Sequence, residues 1–118
     1  MQKLLIPIQG DYVAPRFDLA SEIIISRFED GRLEGEMKTI IMERASDEEL
    51  CQMVVEANIT DVVCGAIEET HYNFLAWKRV NIFDSIVGGW KEAIELRLAE
   101  KLTSRQIIID KNNVELNL

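Results

Sequence analysis

Apolar residues in this chain fall first into short unbroken runs and later into helical spacing. Residues 3–8 (KLLIPI) are almost wholly apolar, the pattern of a strand buried on both faces. Pro7 removes one ladder donor, so the strand is expected to end or bulge there. A polar stretch rich in turn-forming residues follows, GDYVAPRFDLA at 10–20. Residues 22–29 are β-rich, and Asp30-Gly31 supplies the pair that a type I′ hairpin needs at positive φ. Residues 32–42 then return as an antiparallel strand. That strand is polar on both faces except at 39–42, which the pattern buries. Glu34, Glu36 and Lys38 suit a sheet edge, where charge discourages further pairing.

Helical periodicity begins after Ser46. Ser46 and Glu49 form an S-x-x-E capping box, and Asp47, Glu48 and Glu49 complement the dipole of the first turn. Leu50, Met53, Val54 and Ala57 recur on one face, and Asn58 follows as a C-cap. Residues 59–65 (ITDVVCG) read as a second buried strand ending in glycine. A helix is expected over 69–79 with Tyr72, Leu75 and Ala76 inward, then a strand over 80–83. Asp84 or Ser85 would cap a third helix carried by Trp90, Ala93, Ile94, Leu98 and Leu102. The order is β, β-hairpin, α, β, α, β, α and a tail. Strands alternating with helices imply parallel neighbours, and the early hairpin makes the sheet mixed. An α/β domain over 1–103 is expected. Residues 104–118 form a C-terminal extension, read as a hairpin or as a strand added to a partner's sheet, so that the chain is a monomer or a homodimer through this tail.

With 118 residues, one domain with a substantial core is expected. The formal net charge of −8 disfavours nucleic acid and anionic membranes as partners. Cys51 and Cys64 are the two cysteines. They form no C-x-x-C pair, so neither a zinc ribbon nor a self-sufficient iron–sulfur site is encoded. Reduced cysteines fit a cytoplasmic protein. The opening apolar run is too short for a signal peptide, and no run reaches the roughly 20 residues that span a bilayer.

Candidate chemistry gathers around the 10–20 loop and the end of the 59–65 strand. Arg16 and Asp18 flank Phe17 and could recognise an anion or a partner, or could bridge to a carboxylate that fixes the loop. Phe17 reads as an aromatic plug seating that loop. Cys64, beside Gly65 at a strand end, and His71, the only histidine, could together offer a soft and a borderline metal ligand. Their alternative roles are a small buried hydrophobe and a surface residue. Cys51 reads as structural. Glu68, Glu69 and Asp61 are the acidic residues near that strand. A two-metal nuclease would need several converging carboxylates, and the opening strand contributes none. Gly88-Gly89 could expose amides to a phosphate, or could permit close packing of the helix that starts at Trp90. One histidine supplies no argument for a catalytic triad, and the chain is read as non-catalytic.

Several of these pieces occur in the order found in a known family. They are the opening LLIPI, the V-x-x-x-F-x-x-A pattern at Val13, Phe17 and Ala20, the Asp30-Gly31 hairpin, ITDVVCG, and a closing helix with the pair Glu92 and Ala93. From Leu4 to Leu102 the chain resembles the NifX and NifB C-terminal type of dinitrogenase iron–molybdenum cofactor biosynthesis domain. The resemblance implies a ribonuclease-H-like fold, with a mixed five-stranded sheet in which 22–29 runs antiparallel to the rest. It implies binding or carriage of an iron–sulfur or iron–molybdenum type cofactor or precursor, without catalysis, alongside metallocluster assembly proteins. The site would comprise Arg16, Phe17 and Asp18 of the loop with Cys64, Gly65 and His71, and the metal ligands would be His71 and Cys64. Family members typically read H-F-G where this chain has Arg16-Phe17-Asp18, so the usual imidazole is absent. Members often carry a glycine-rich segment where this chain reads CGAIEETH. The alternative reading is a non-catalytic interaction or regulatory module on the same fold without bound metal.

Overall fold

The computed structural model describes residues 1–108. The first strand, β1 (Gln2–Gln9), runs through the centre of a six-stranded sheet. The hairpin is β3 (Glu22–Glu29) and β4 (Arg32–Ile41), joined by Asp30 and Gly31 at φ 51° and 76°. These are the two positive values that a type I′ turn requires. Helix α1 (Asp47–Glu56) leads to β5 (Asp61–Val63), and α2 (Glu69–Trp77) leads to β6 (Asn81–Phe83). Helix α3 (Trp90–Leu98) follows. The strand order is β4-β3-β1-β5-β6, with a two-residue strand β2 (Tyr12–Val13) paired to β1 off that path. Strands β1, β5 and β6 are parallel neighbours, and β3 is antiparallel to both β1 and β4. On the five-strand path, β3 alone runs against the rest, as the family likeness implied.

Alternation along β1 divides the core into two. Leu4, Ile6 and Ile8 face one side, where Ala93 and Ile94 of α3 cover them with Ile86 and Leu102. Leu5 faces the other, with Leu50, Cys51 and Val54 of α1 and Leu75 of α2. The period of two on a strand is what allows one segment to supply both layers. Three layers result, with α3 on one face and the α1–α2 pair on the other.

Four local expectations are revised. Strand β1 continues past Pro7 to Gln9. The Pro7 carbonyl accepts from the Ala14 N–H at 2.9 Å, so its backbone faces away from β3 and the missing donor leaves the β1–β3 ladder intact. Along the end of β4, Ile41 is 75% exposed and Ile40 half-buried, because only one face of this edge strand meets the helices. Only Leu75 of α2 is buried; Tyr72 and Ala76 face solvent. Helix α3 starts later than expected, at Trp90 with Gly89 as its N-cap, so residues 84–89 form a loop. In the expected C-terminal extension, Ile107 bridges Val87 in parallel and the Ile108 N–H donates to the Val87 carbonyl at 2.7 Å. The rest of that extension, with any hairpin or partner-pairing strand in it, lies outside the described residues.

Candidate functional site

Sheet topology opens a crevice between β1 and β5. From β1 the chain turns to one side to build β3 and β4. It later crosses to the other side to build β5 and β6. The connections leaving the C-terminal ends of β1 and β5 therefore diverge, which is where open α/β sheets place ligands. A cleft of about 910 Å3 lies there. Its walls are the 10–20 loop, the end of β5 at Gly65, the 85–89 loop and the first turn of α3.

The 10–20 loop is pinned by backbone bonds on both sides. Phe17 N–H donates to Ala66 O at 2.8 Å, and Ala66 N–H donates to Pro15 O at 2.8 Å. On the other side Val13 N–H reaches Gly88 O at 2.9 Å, Trp90 N–H reaches Asp11 O at 3.1 Å, and Trp90 Nε1 donates to Gly10 O at 3.0 Å. Gly65 makes this approach feasible: a Cβ there would collide with the carbonyls of Ala14 and Pro15. A three-residue 3-10 turn at Phe17–Leu19 then drops the Phe17 ring into the core, 1% exposed, among α1 and α2 side chains.

The structure does not gather the six residues singled out in the sequence into one site, though it pairs Arg16 with Asp18 and sets Phe17 near His71. Arg16 chelates Asp18 with Nε–Oδ1 at 3.0 Å and Nη2–Oδ2 at 2.6 Å, so the two charges of the loop satisfy each other. The pair is exposed, and pairs of this kind contribute little to stability. Gly65 lines the cleft. Cys64, its neighbour, is fully buried. Burial, and to a lesser degree the charge of Asp84, push its thiol well above the ordinary cysteine range. Ligation of a metal by Cys64 would require both exposing it and removing that proton.

His71 lies on the α1–α2 side of the sheet. Its Nε2 is 2.7 Å from Asp47 Oδ2, its Nδ1 is 3.8 Å from Cys51 Sγ, and the Phe17 ring lies 6.3 Å away, centroid to centroid. The cysteine beside His71 is thus Cys51. Glu68 completes a group with Asp47 and His71 whose ligand atoms all lie within 4.8 Å of one another. Asp47 and Glu68 were not linked to His71 in the sequence. The available signals were Glu68 and His71 three apart at a helix start, and Asp47 and Cys51 four apart on α1. Asp61 opens β5, at the far end of the strand from the cleft. There Arg97 holds it through Nε at 3.0 Å and Nη2 at 2.7 Å. It therefore forms no carboxylate set with Glu68 and Glu69.

The cleft lining contains no cysteine or histidine among the described residues. Its polar groups include Gln9, Ser85, Lys91 and the backbone at Gly88 and Gly89, with Asp11 and Glu92 adding negative charge. The Gly88 and Gly89 N–H groups take no hydrogen-bond partner among the described residues. Lys91 and the two amides give an anion donors, against which Asp11 and the Glu92 carboxylate, packed against Gly89, set two negative charges. The donor set does not fit a cluster ligated through iron by the cleft walls. Among the described residues, no helix is long and apolar enough to cross a membrane.

Searches against protein-family models and curated proteins found no match to this chain. Solved structures do match. A Methanocaldococcus jannaschii protein given the provisional name of a dinitrogenase superimposes with a TM-score of 0.70 at 22% identity, over 86% of this chain and 91% of its own. A Thermotoga protein provisionally named as NifB gives 0.69 at 18% identity, over 94% and 99%. The apo form of the orange protein from Desulfovibrio gigas gives 0.69 at 13% identity, over 88% and 92%. The likeness establishes a shared fold. The chain thus has the architecture of proteins carrying nitrogenase-associated names, at low sequence identity.

Proposed function

We propose that this chain is a small non-catalytic protein that binds or carries an iron–sulfur or iron–molybdenum type cofactor, or a precursor of one, during metallocluster assembly. The fold is read as ribonuclease-H-like, and the partners as metallocluster assembly proteins. The observation that carries the proposal is the cleft at the divergence of β1 and β5, in a fold shared with proteins named for dinitrogenase and NifB. The bound group would supply the redox-active metal. The chain's own residues would hold it without ligating it. Lys91 offers a positive charge at the first turn of α3, Gly88 and Gly89 offer amides, and Gln9 offers a further donor. Positive charge with helix-start amides is a chemistry suited to an anionic cluster. Arg16, paired with Asp18 within the loop, sits beyond this lining.

The proposal is tested by anaerobic titration with tetrathiomolybdate and with a preformed synthetic iron–sulfur cluster, following absorbance. Lys91→Glu should weaken binding by about tenfold or more, the equivalent of one charge-assisted hydrogen bond of about 1.5 kcal/mol. His71→Ala should leave it unchanged. Equal binding by the Lys91→Glu chain would remove the cleft as the site.

A second reading, a docking module without bound metal, draws on the outer edge of β4. That edge has no partner strand among the described residues, and it carries Leu33, Met37 and Ile41 exposed. Open edges with apolar side chains recruit further strands. Under this reading the solution mass rises with concentration and Ile41→Lys abolishes the rise. A constant monomer mass would dismiss self-association through this edge.

A further inference from the structure

We infer that Asp47, Glu68 and His71 form a site for one divalent transition-metal cation, separate from the cleft. The three come from the start of α1, the N-cap position of α2 and its first turn. Their ligand atoms lie within 4.8 Å of one another. In a four-coordinate site with metal–ligand bonds of about 2.0–2.1 Å, neighbouring ligands sit about 3.4 Å apart. Closing the present group onto a cation therefore needs a small inward movement. Glu68 can supply it, being exposed and having no side-chain cap bond.

The other two ligands are already aimed. Asp47 Oδ1 accepts the Glu48 N–H at 2.8 Å, which leaves Oδ2 directed at His71. The imidazole is held on its remaining sides by the Phe17 ring and by Cys51 at Nδ1. Cys51 Sγ occupies the Nδ1 side of the ring and leaves Nε2 as the nitrogen facing Asp47. An outer partner on the second ring nitrogen is a regular feature of metal-binding histidines.

Charge points the same way. Two carboxylates converge on the ring, and no lysine or arginine bridges either of them among the described residues. One imidazole with two carboxylates is a borderline-to-hard donor set. It suits zinc, cobalt or manganese better than copper(I), which prefers sulfur. Three protein ligands leave a fourth position for water. A cation would bind Nε2 of the neutral imidazole, whose one ring proton would then sit on Nδ1 facing Cys51 Sγ, with Asp47 Oδ2 turning from Nε2 to the metal.

The test uses the metal-free full chain titrated with Co2+, reading visible d–d absorption, and with Zn2+ by calorimetry. One equivalent should bind. His71→Ala should abolish the cobalt spectrum. Glu68→Gln, at an exposed position where folding is unaffected, should weaken binding by more than about tenfold, and Cys51→Ala by about tenfold as an outer-shell change. Lys91→Glu in the cleft should have no effect, which keeps this site distinct from cofactor binding. Absence of saturable binding, or binding that Glu68→Gln leaves intact, would overturn the assignment.

Discussion

Arg97 reaches from α3 to the first residue of β5 and clamps a carboxylate that is fully buried. Its guanidinium lies 5.3 Å from the ring centroids of both Phe28 and Phe83, so it is sandwiched as well as paired. Thr60 Oγ1 at 2.6 Å and Asn81 Nδ2 at 3.3 Å complete the shell around Asp61. Removing one member of such a pair leaves an uncompensated charge in a medium that solvates it poorly. Arg97→Ala should therefore cost about 3–5 kcal/mol in denaturant unfolding. The double change Asp61→Asn with Arg97→Met should cost clearly less, because no buried charge remains. Equal losses in the two proteins would show that packing, not charge, governs this position. Cys64 makes the opposite case, a group kept neutral. Its folded pKa lies above the ordinary value of 9.0. That contribution to stability is present in full below pH 9 and is lost as the pH rises beyond it, when the unfolded thiol ionises and the folded one does not. Iodoacetamide at pH 8 should leave Cys64 unmodified in the folded chain and label it fully in denaturant, read by peptide mass.

Among the elements, the 10–20 loop and β5 hold each other. Gly65 is the contact point, and a single methyl there strikes two backbone carbonyls that cannot rotate away. Gly65→Ala should destabilise the chain by about 1–3 kcal/mol, the range for forced overpacking. It should also speed amide exchange at Phe17 and Ala66, whose N–H groups form the junction. Unchanged exchange would mean the loop is held from the Gly88 side alone. Much of this architecture was legible beforehand, because strong local signals agreed with the fold. The Asp30-Gly31 turn and the Ser46 cap, whose Oγ accepts the Glu49 N–H at 3.2 Å, formed where the sequence placed them. The late start of α3 was hidden, since Asp84 and Ser85 look like caps while the Gly88 carbonyl and the Trp90 N–H are engaged with the loop. The grouping of Asp47 with His71 was also hidden. It depends on how α1 packs beside α2, a tertiary fact that no spacing within either helix records. The cleft was legible as a position, the end of β1 and the end of β5, and in the Gly88-Gly89 pair read as candidate amide donors. The residues lining it from 85–89 gave no periodic signal.

The whole molecule combines an acidic surface with two separate polar sites on a three-layer scaffold. A net charge of −8 works against an anionic ligand at long range. Binding in the cleft must therefore rest on short-range donors, Lys91 and the amides near it, so raising the salt concentration should not abolish it. The fold itself hosts many functions, so the account stands on the cleft and its chemistry. The most direct measurement is native mass spectrometry of the full chain after anaerobic mixing with the synthetic iron–sulfur cluster. The account predicts one intact cluster per chain, present in the wild-type and His71→Ala proteins and depleted in Lys91→Glu. A spectrum showing only the bare chain, or cluster retained equally by all three proteins, would contradict it.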